Sequence, residues 1–347
     1  MKASFRRPRL QATSNGQLIT STVSAQVTST AHATADRFRL TLAPGVQAIA
    51  DWADIADALV EISFSLDQVS WSSLIVGNID QLRVDPRSGL VVLEGRDLSS
   101  LLIDSRVENT FANQTSSDIA TQFAADAGLS PNVAPTYTPV GAYWQIEHDQ
   151  VLLAAHCRAR SRWDLLVQLA AREGFDVWVA NTSLNFQPND QSTNAAVTYA
   201  PADFLRLSLE RSLTIARDIK VTVQSWNSRE ARMVSQTATG RRGNSIGGNS
   251  TPLSYVFLLP NLSATEAQSL AEQRLADLTR HERVIEAEMP GELALSPRQP
   301  INLIGTQSSF DQSYWIDTIT RRLSVQGGFT QTLRARNASP GMTIGEA

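Results

Sequence analysis

Three groupings in this chain have residue types and spacings that chemistry can use. Gly243-Asn244-Ser245-Ile246-Gly247 matches the Gly-x-Ser-x-Gly pattern of a nucleophile elbow, with His281 downstream as its base. Such an elbow exposes its serine only where a buried strand runs straight into a helix and strains the turn. Here Arg241-Arg242 precede the motif and Gly248-Asn249 follow it, so 241–252 reads as a flexible linker. His148, His156 and Cys157 lie close together, but a zinc site asks for four ligands, or three plus water. The missing ligands would have to be Glu147 or Asp149 from an unpatterned loop, so the three read as satisfied polar residues and a small buried thiol. Glycoside hydrolysis needs two carboxylates facing across a cleft. Asp54 with Asp57, and Glu286 with Glu288, have the spacing of solvated faces instead. No phosphate-gripping glycine loop with lysine and no dinucleotide fingerprint occurs. The residues therefore lead to no catalytic residue, no metal ligand and no cofactor.

Composition fits a protein that hides surface in an assembly, and fits an ordinary β-rich domain as well. The chain has 347 residues, a length for two or three domains, and 42% are hydrophobic against 18% charged. A net charge of -4 is unlike that of a general nucleic-acid binder. Lys2 and Lys220 are the only lysines; arginine carries the remaining basic charge, and its planar fork suits paired contacts. One cysteine allows no internal disulfide. No apolar run approaches the roughly 18 residues of a membrane span.

The elements that must position any site come in three stretches. The first hundred residues are strand and turn: 20–26 and 37–42 alternate with period two, 60–66, 73–81 and 90–93 follow, and Asp85-Pro86-Arg87-Ser88-Gly89 marks a tight turn. The middle stretch is helical. Ser116 or Ser117 caps a helix that Gly128 stops, and Ser161 with Asp164 makes a capping box for a second helix ended by Gly174. Phe175 to Phe186 then reads as a hairpin, and 131–139 as loop or edge. Alternation returns at 205–224, Ser263 and Glu266 box a third long helix, and strands resume from 283. Trp178 and Trp315 are expected in the core; Trp52 and Trp144, in loop contexts, are candidate interface residues.

Two stretches carry a family resemblance. Gly95-Arg96-Asp97-Leu98 runs into Ser99-Ser100-Leu101-Leu102, and near the end Phe310-Asp311-x-x-Tyr314 leads to Gly327-Gly328-Phe329-Thr330. Together with Ser161 to Phe186, these resemble the tail hub family: late-control-D-type baseplate proteins of phages, related to the hub region of type VI secretion spike proteins. Relatives commonly carry a histidine after the Phe-Asp-x-x-Tyr strand, where Arg321 and Arg322 stand here.

The resemblance implies an α+β, mainly β chain in which two tail-tube-like β-barrel domains are joined by a small α/β domain. The boundaries would be 1–107 for the first barrel and 108–205 for the middle domain. The second barrel would occupy 206–347, from strands at 206–236 and 283–337, with a linker and helix inserted at 237–282 and the helix packed on the middle domain. It implies a homotrimeric, pseudo-sixfold ring without enzymatic activity. That ring would connect a tail tube or distal tail protein to a central spike, with tape-measure and other baseplate proteins nearby and DNA only in transit. The protein would be made and assembled in the host bacterial cytoplasm and reside in the virion tail baseplate, with no membrane insertion. Arg96 and Asp97 read as a structural turn rather than a recognition pair. A cell-wall hydrolase, a carbohydrate-binding adhesive module and a hub from a phage-derived particle stay open as alternatives.

Overall fold

The computed structural model describes residues 6–43, 52–55, 58–107, 110–144, 149–153, 159–189, 196–213, 218–227, 231–241, 252–279, 282–337 and 343–344. Side chains are described throughout these except at 142–144, 153, 241 and 343–344. Ser245, His281, His148, His156, Cys157 and Asp57 lie outside the described residues, as does the side chain of Trp144. The chain divides into two compact units: Met1–Asp190 with Pro290–Pro297 and Thr318–Thr332, and Gln191–Met289 with Arg298–Asp317 and Leu333–Ala347.

The first unit opens with seven strands: β1 (Arg9–Ser14), β2 (Gln17–Leu18), β3 (Thr22–Thr30), β4 (Arg37–Leu42), β5 (Leu59–Ser65), β6 (Ser72–Asp85) and β7 (Leu90–Asp97). They pair antiparallel in the order β3-β4-β7-β6-β5-β1-β2, and residues Thr318–Ser324 pair along the other side of β3. Period-two alternation fixes which face is buried. Phe38, Leu40 and Leu42 of β4 point into a core with Val27, Ile62, Phe64 and Leu93, while Arg37 and Arg39 point out. The turn at 85–89 forms as the sequence suggests: Asp85 accepts the Arg87 N–H at 3.0 Å and the Ser88 hydroxyl at 2.6 Å, and Gly89 takes φ +71°. Among the described strands no pairing joins the two ends of this order, so no closed barrel forms.

The same unit continues with α1 (Ser100–Ile103), β8 (Thr110–Ala112), α2 (Ser116–Asp126), β9 (Ser130–Val133), β10 (Ala142–Trp144), β11 (Asp149–Leu153), α3 (Arg162–Glu173), β12 (Phe175–Ala180) and β13 (Ser183–Pro188). The cap of α2 falls one residue earlier than the serines suggest. Thr115 Oγ1 accepts the Asp118 N–H, and Asp118 returns the bond to the Thr115 N–H at 2.9 Å. The Ser161–Asp164 box of α3 forms as read, and Gly174 closes the helix at φ +71°. The β12–β13 hairpin also forms, and β9 from the 131–139 stretch is an edge strand parallel to β13. Ile119, Phe123, Leu165, Leu166, Val177 and Phe186 bury one core, which also takes Leu98 and Leu102.

The second unit holds β14 (Val197–Tyr199), β15 (Arg206–Arg211), β16 (Ile219–Asn227), β17 (Arg232–Arg241), β18 (Leu253–Leu258), α4 (Ala264–Thr279), β19 (Arg283–Pro290), β20 (Pro300–Leu303), β21 (Ser313–Ser324), β22 (Gly328–Asn337) and β23 (Thr343–Ile344). Strands β21 and β22 contribute residues to both units. β15 pairs with β19, and β14 runs parallel to β20, which pairs with β21. β16 and β17 instead join β18 and β23 in a separate four-stranded sheet. The Ser263–Glu266 box caps α4, whose stripe of Ala267, Ala271 and Leu275 buries Ile219, Val221, Val223, Val234 and Ala238. The helix thus packs on β16 and β17, not on the middle region, because those strands offer it their apolar parity.

Candidate assembly surfaces

Gly95, Arg96, Asp97 and Leu98 close β7 and lead into α1, and each has a distinct physical task. A Cβ at Gly95 would lie 2.0 Å from the Asn78 carbonyl oxygen and 2.6 Å from the Phe38 ring, so only glycine fits there. Arg96 donates from Nε and Nη2 to Asp80 at 2.7 and 2.8 Å, and from Nη1 and Nη2 to Asp104 at 3.2 and 2.8 Å. This double fork links β6, β7 and the end of α1. Asp97 is 5% exposed; it accepts the Ser99 N–H at 3.2 Å and a short bond from the Ser99 hydroxyl. Burial pushes its carboxyl up to about 7, against the pull of the Ser99 bonds. A carboxyl so enclosed and so engaged serves the turn. Leu98 is buried in the helical core.

The second motif divides into a loop and a hairpin. Asp311 accepts the Thr306 N–H at 2.8 Å and its hydroxyl at 2.6 Å, and these bonds hold the carboxyl below its usual range. Tyr314 is fully buried; its hydroxyl donates to the Phe310 carbonyl at 3.0 Å and accepts from Gln312 at 3.2 Å. Phe310 lies under the Arg283 guanidinium at 5.9 Å. The Gly327 N–H donates to Ser324 Oγ at 2.9 Å, Gly328 takes φ +65°, and Phe329 meets Phe64 edge-on at 5.2 Å. The structure therefore does not gather these motifs into one reactive site: each ties its own turn. Arg321 points inward and donates to the Glu292 and Leu295 carbonyls, while Arg322 points out.

The tryptophans need correction. Trp52, an interface candidate on sequence, is 3% exposed and sits in the sheet core, because an apolar ring beside a short turn finds cover there. Trp178 and Trp315 are half-buried rather than core. Trp226 was missed: it is 56% exposed, directly opposite Met233 at 63%. Val256 and Leu258, in register with Thr222 and Gln224, share that face at 56% and 74% exposed. The face lies opposite the one α4 covers. Parity was the available signal, since Trp226 falls out of phase with Ile219, Val221 and Val223. Exposed apolar groups gathered on one sheet face make it a candidate contact surface. Among the described residues no group of three or more His, Cys, Asp or Glu is placed to hold a metal, and no helix is long and apolar enough to cross a membrane.

This architecture is similar to that of solved tail proteins. It superposes on the tail protein of Neisseria meningitidis MC58 with a TM-score of 0.71 and 15% identity, covering 95% of this chain and 96% of that one. The prophage MuSo2 43 kDa tail protein of Shewanella oneidensis gives a TM-score of 0.71 and 13% identity over 97% and 100% of the two chains. The Escherichia coli c3393 protein, a type VI secretion component described as similar to the T4 tail proteins gp27 and gp5, gives 0.58 and 11% identity over 96% and 79%. In sequence, the model of the family described as the Alg8 N-terminal domain matches residues 68–324, more than half of the chain, and the chain belongs to that family. No protein of curated function matches it.

Proposed function

We propose that this chain is a structural hub protein of a phage tail or phage-like injection particle, of the late-control-D type. Three copies form a pseudo-sixfold ring that connects a hexameric tail tube to a trimeric spike. The observation that carries this reading is the fold likeness to two tail proteins over nearly the full length of both partners. Symmetry is the rest of the reading: a β region at 1–107 and a second at 206–347, around a middle domain at 108–205, would present six equivalent surfaces from three copies. Open sheet edges need cover from a neighbour, and ring closure supplies it. In this reading tube or distal tail protein, spike, tape-measure and further baseplate proteins are the partners, the virion baseplate is the location, and the role is non-enzymatic. Electron-microscope imaging of the purified protein tests it. A threefold ring with a central channel is the expected result, and a monomer that stays monomeric when mixed with tube and spike proteins would refute it.

A further inference from the structure

Register builds a charged grid on the outward face of the first unit's sheet. Gln26 lies opposite Arg39 on one side and Arg322 on the other. A cavity of about 310 Å3 opens between them, lined by Ser24, Ala25, Gln26, Arg39, Thr41 and Arg322. Arg39 and Arg322 bring guanidinium groups to it, Ser24 and Thr41 hydroxyls and Gln26 an amide, while the side chain of Ala25 is buried in the core on the other face. Arg37 stands two residues from Arg39 along β4, and Arg83 faces outward from β6. Arg96 has its charge matched by Asp80 and Asp104, and Arg39 reaches Glu94 at 3.3 Å while staying 52% exposed. No ion pair or side-chain hydrogen bond engages the guanidinium groups of Arg37, Arg83 and Arg322 among the described residues. A chain of net charge -4 thus concentrates unmatched positive charge on one open face.

We propose that this cavity and the arginines around it receive carboxylate side chains from an acidic segment of a partner protein. Arginine forks hold carboxylates in two-point contact, and the hydroxyls and amide between them complete the cradle. A nucleic acid fits less well. The grid around the cavity carries no aromatic side chain on which a base could stack, and three unmatched cations fall short of a phosphate-tracking surface on an acidic chain. Two strand spacings of about 4.8 Å separate Arg39 from Arg322 across Gln26, enough for two neighbouring carboxylates but small beside a full interface of about 800 Å2 per partner. The grid is therefore the electrostatic part of a larger contact.

Fluorescence anisotropy with a labelled oligoglutamate peptide tests the assignment, with an oligothymidylate of matched charge as the second probe. The full chain is expected to bind the peptide at low salt and to release it as salt rises. Arg39→Ser with Arg322→Ser should weaken binding about three- to tenfold, the scale of two exposed charge contacts. Arg322→Lys, which keeps the charge but not the fork, should lie between. Arg334→Ser, an exposed arginine on β22, should leave binding unchanged. Circular dichroism confirms that each variant is folded. Absence of peptide binding by the wild type, equal loss with Arg334→Ser, or tighter capture of the oligonucleotide through the same arginines would each overturn the proposal.

Discussion

Gly95 and Asp97 show how much a single position can hold. A methyl group at Gly95 meets the Asn78 carbonyl and the Phe38 ring together, and neither gives way without moving a strand. Gly95→Ala is therefore expected to cost about 1–3 kcal/mol, read as a lower urea midpoint at unchanged slope. Asp97 gives a pH test. Its carboxyl titrates near 7 when folded against 3.8 as a free group, so the folded state holds the proton more tightly. Its contribution is complete below about pH 4, is lost as pH climbs through about 7, and stays lost above that. Urea titrations at steps from pH 4 to 8 should show this fall, on the order of a few kcal/mol, and Asp97→Asn should flatten it. Tyr314→Phe removes one buried hydroxyl and orphans the Phe310 carbonyl; a loss of about 1 kcal/mol in thermal or urea melts is expected.

At the level of helices and strands, the caps are separable. Thr115→Ala removes one half of the α2 box and should cost about 1 kcal/mol, read as a lower urea midpoint. These elements also show what was readable beforehand. The β4 strand, the Asp85 turn, the α3 box and the Ser263 cap all rest on bonds within a few residues, and local residue types announce them. The α2 cap was misplaced by one because Thr115, Ser116 and Ser117 all have side-chain hydroxyls, and only the backbone angle at Thr115 selects among them. Partnership was not readable. Nothing near Val27 announces that it pairs with Arg321, nor does Val221 announce Tyr255 and α4 rather than the strands beyond 283. The arginine grid was invisible for the same reason: Gln26, Arg39 and Arg322 are ordinary outward positions until register brings them together.

At the scale of the whole chain, each unit is stitched from three segments. Trp226→Ser with Met233→Ser should leave monomer stability within about 0.5 kcal/mol, since both are exposed, yet abolish any ring seen by imaging if that face is an assembly contact. The stitching has a further effect in time. Strand β3 takes Thr318–Ser324 as its partner, and those residues leave the ribosome long after Thr30. At about 5–20 residues per second the wait is roughly 15–60 seconds. During it a nine-residue strand waits with one margin bare, an invitation to mispairing until the distant segment arrives.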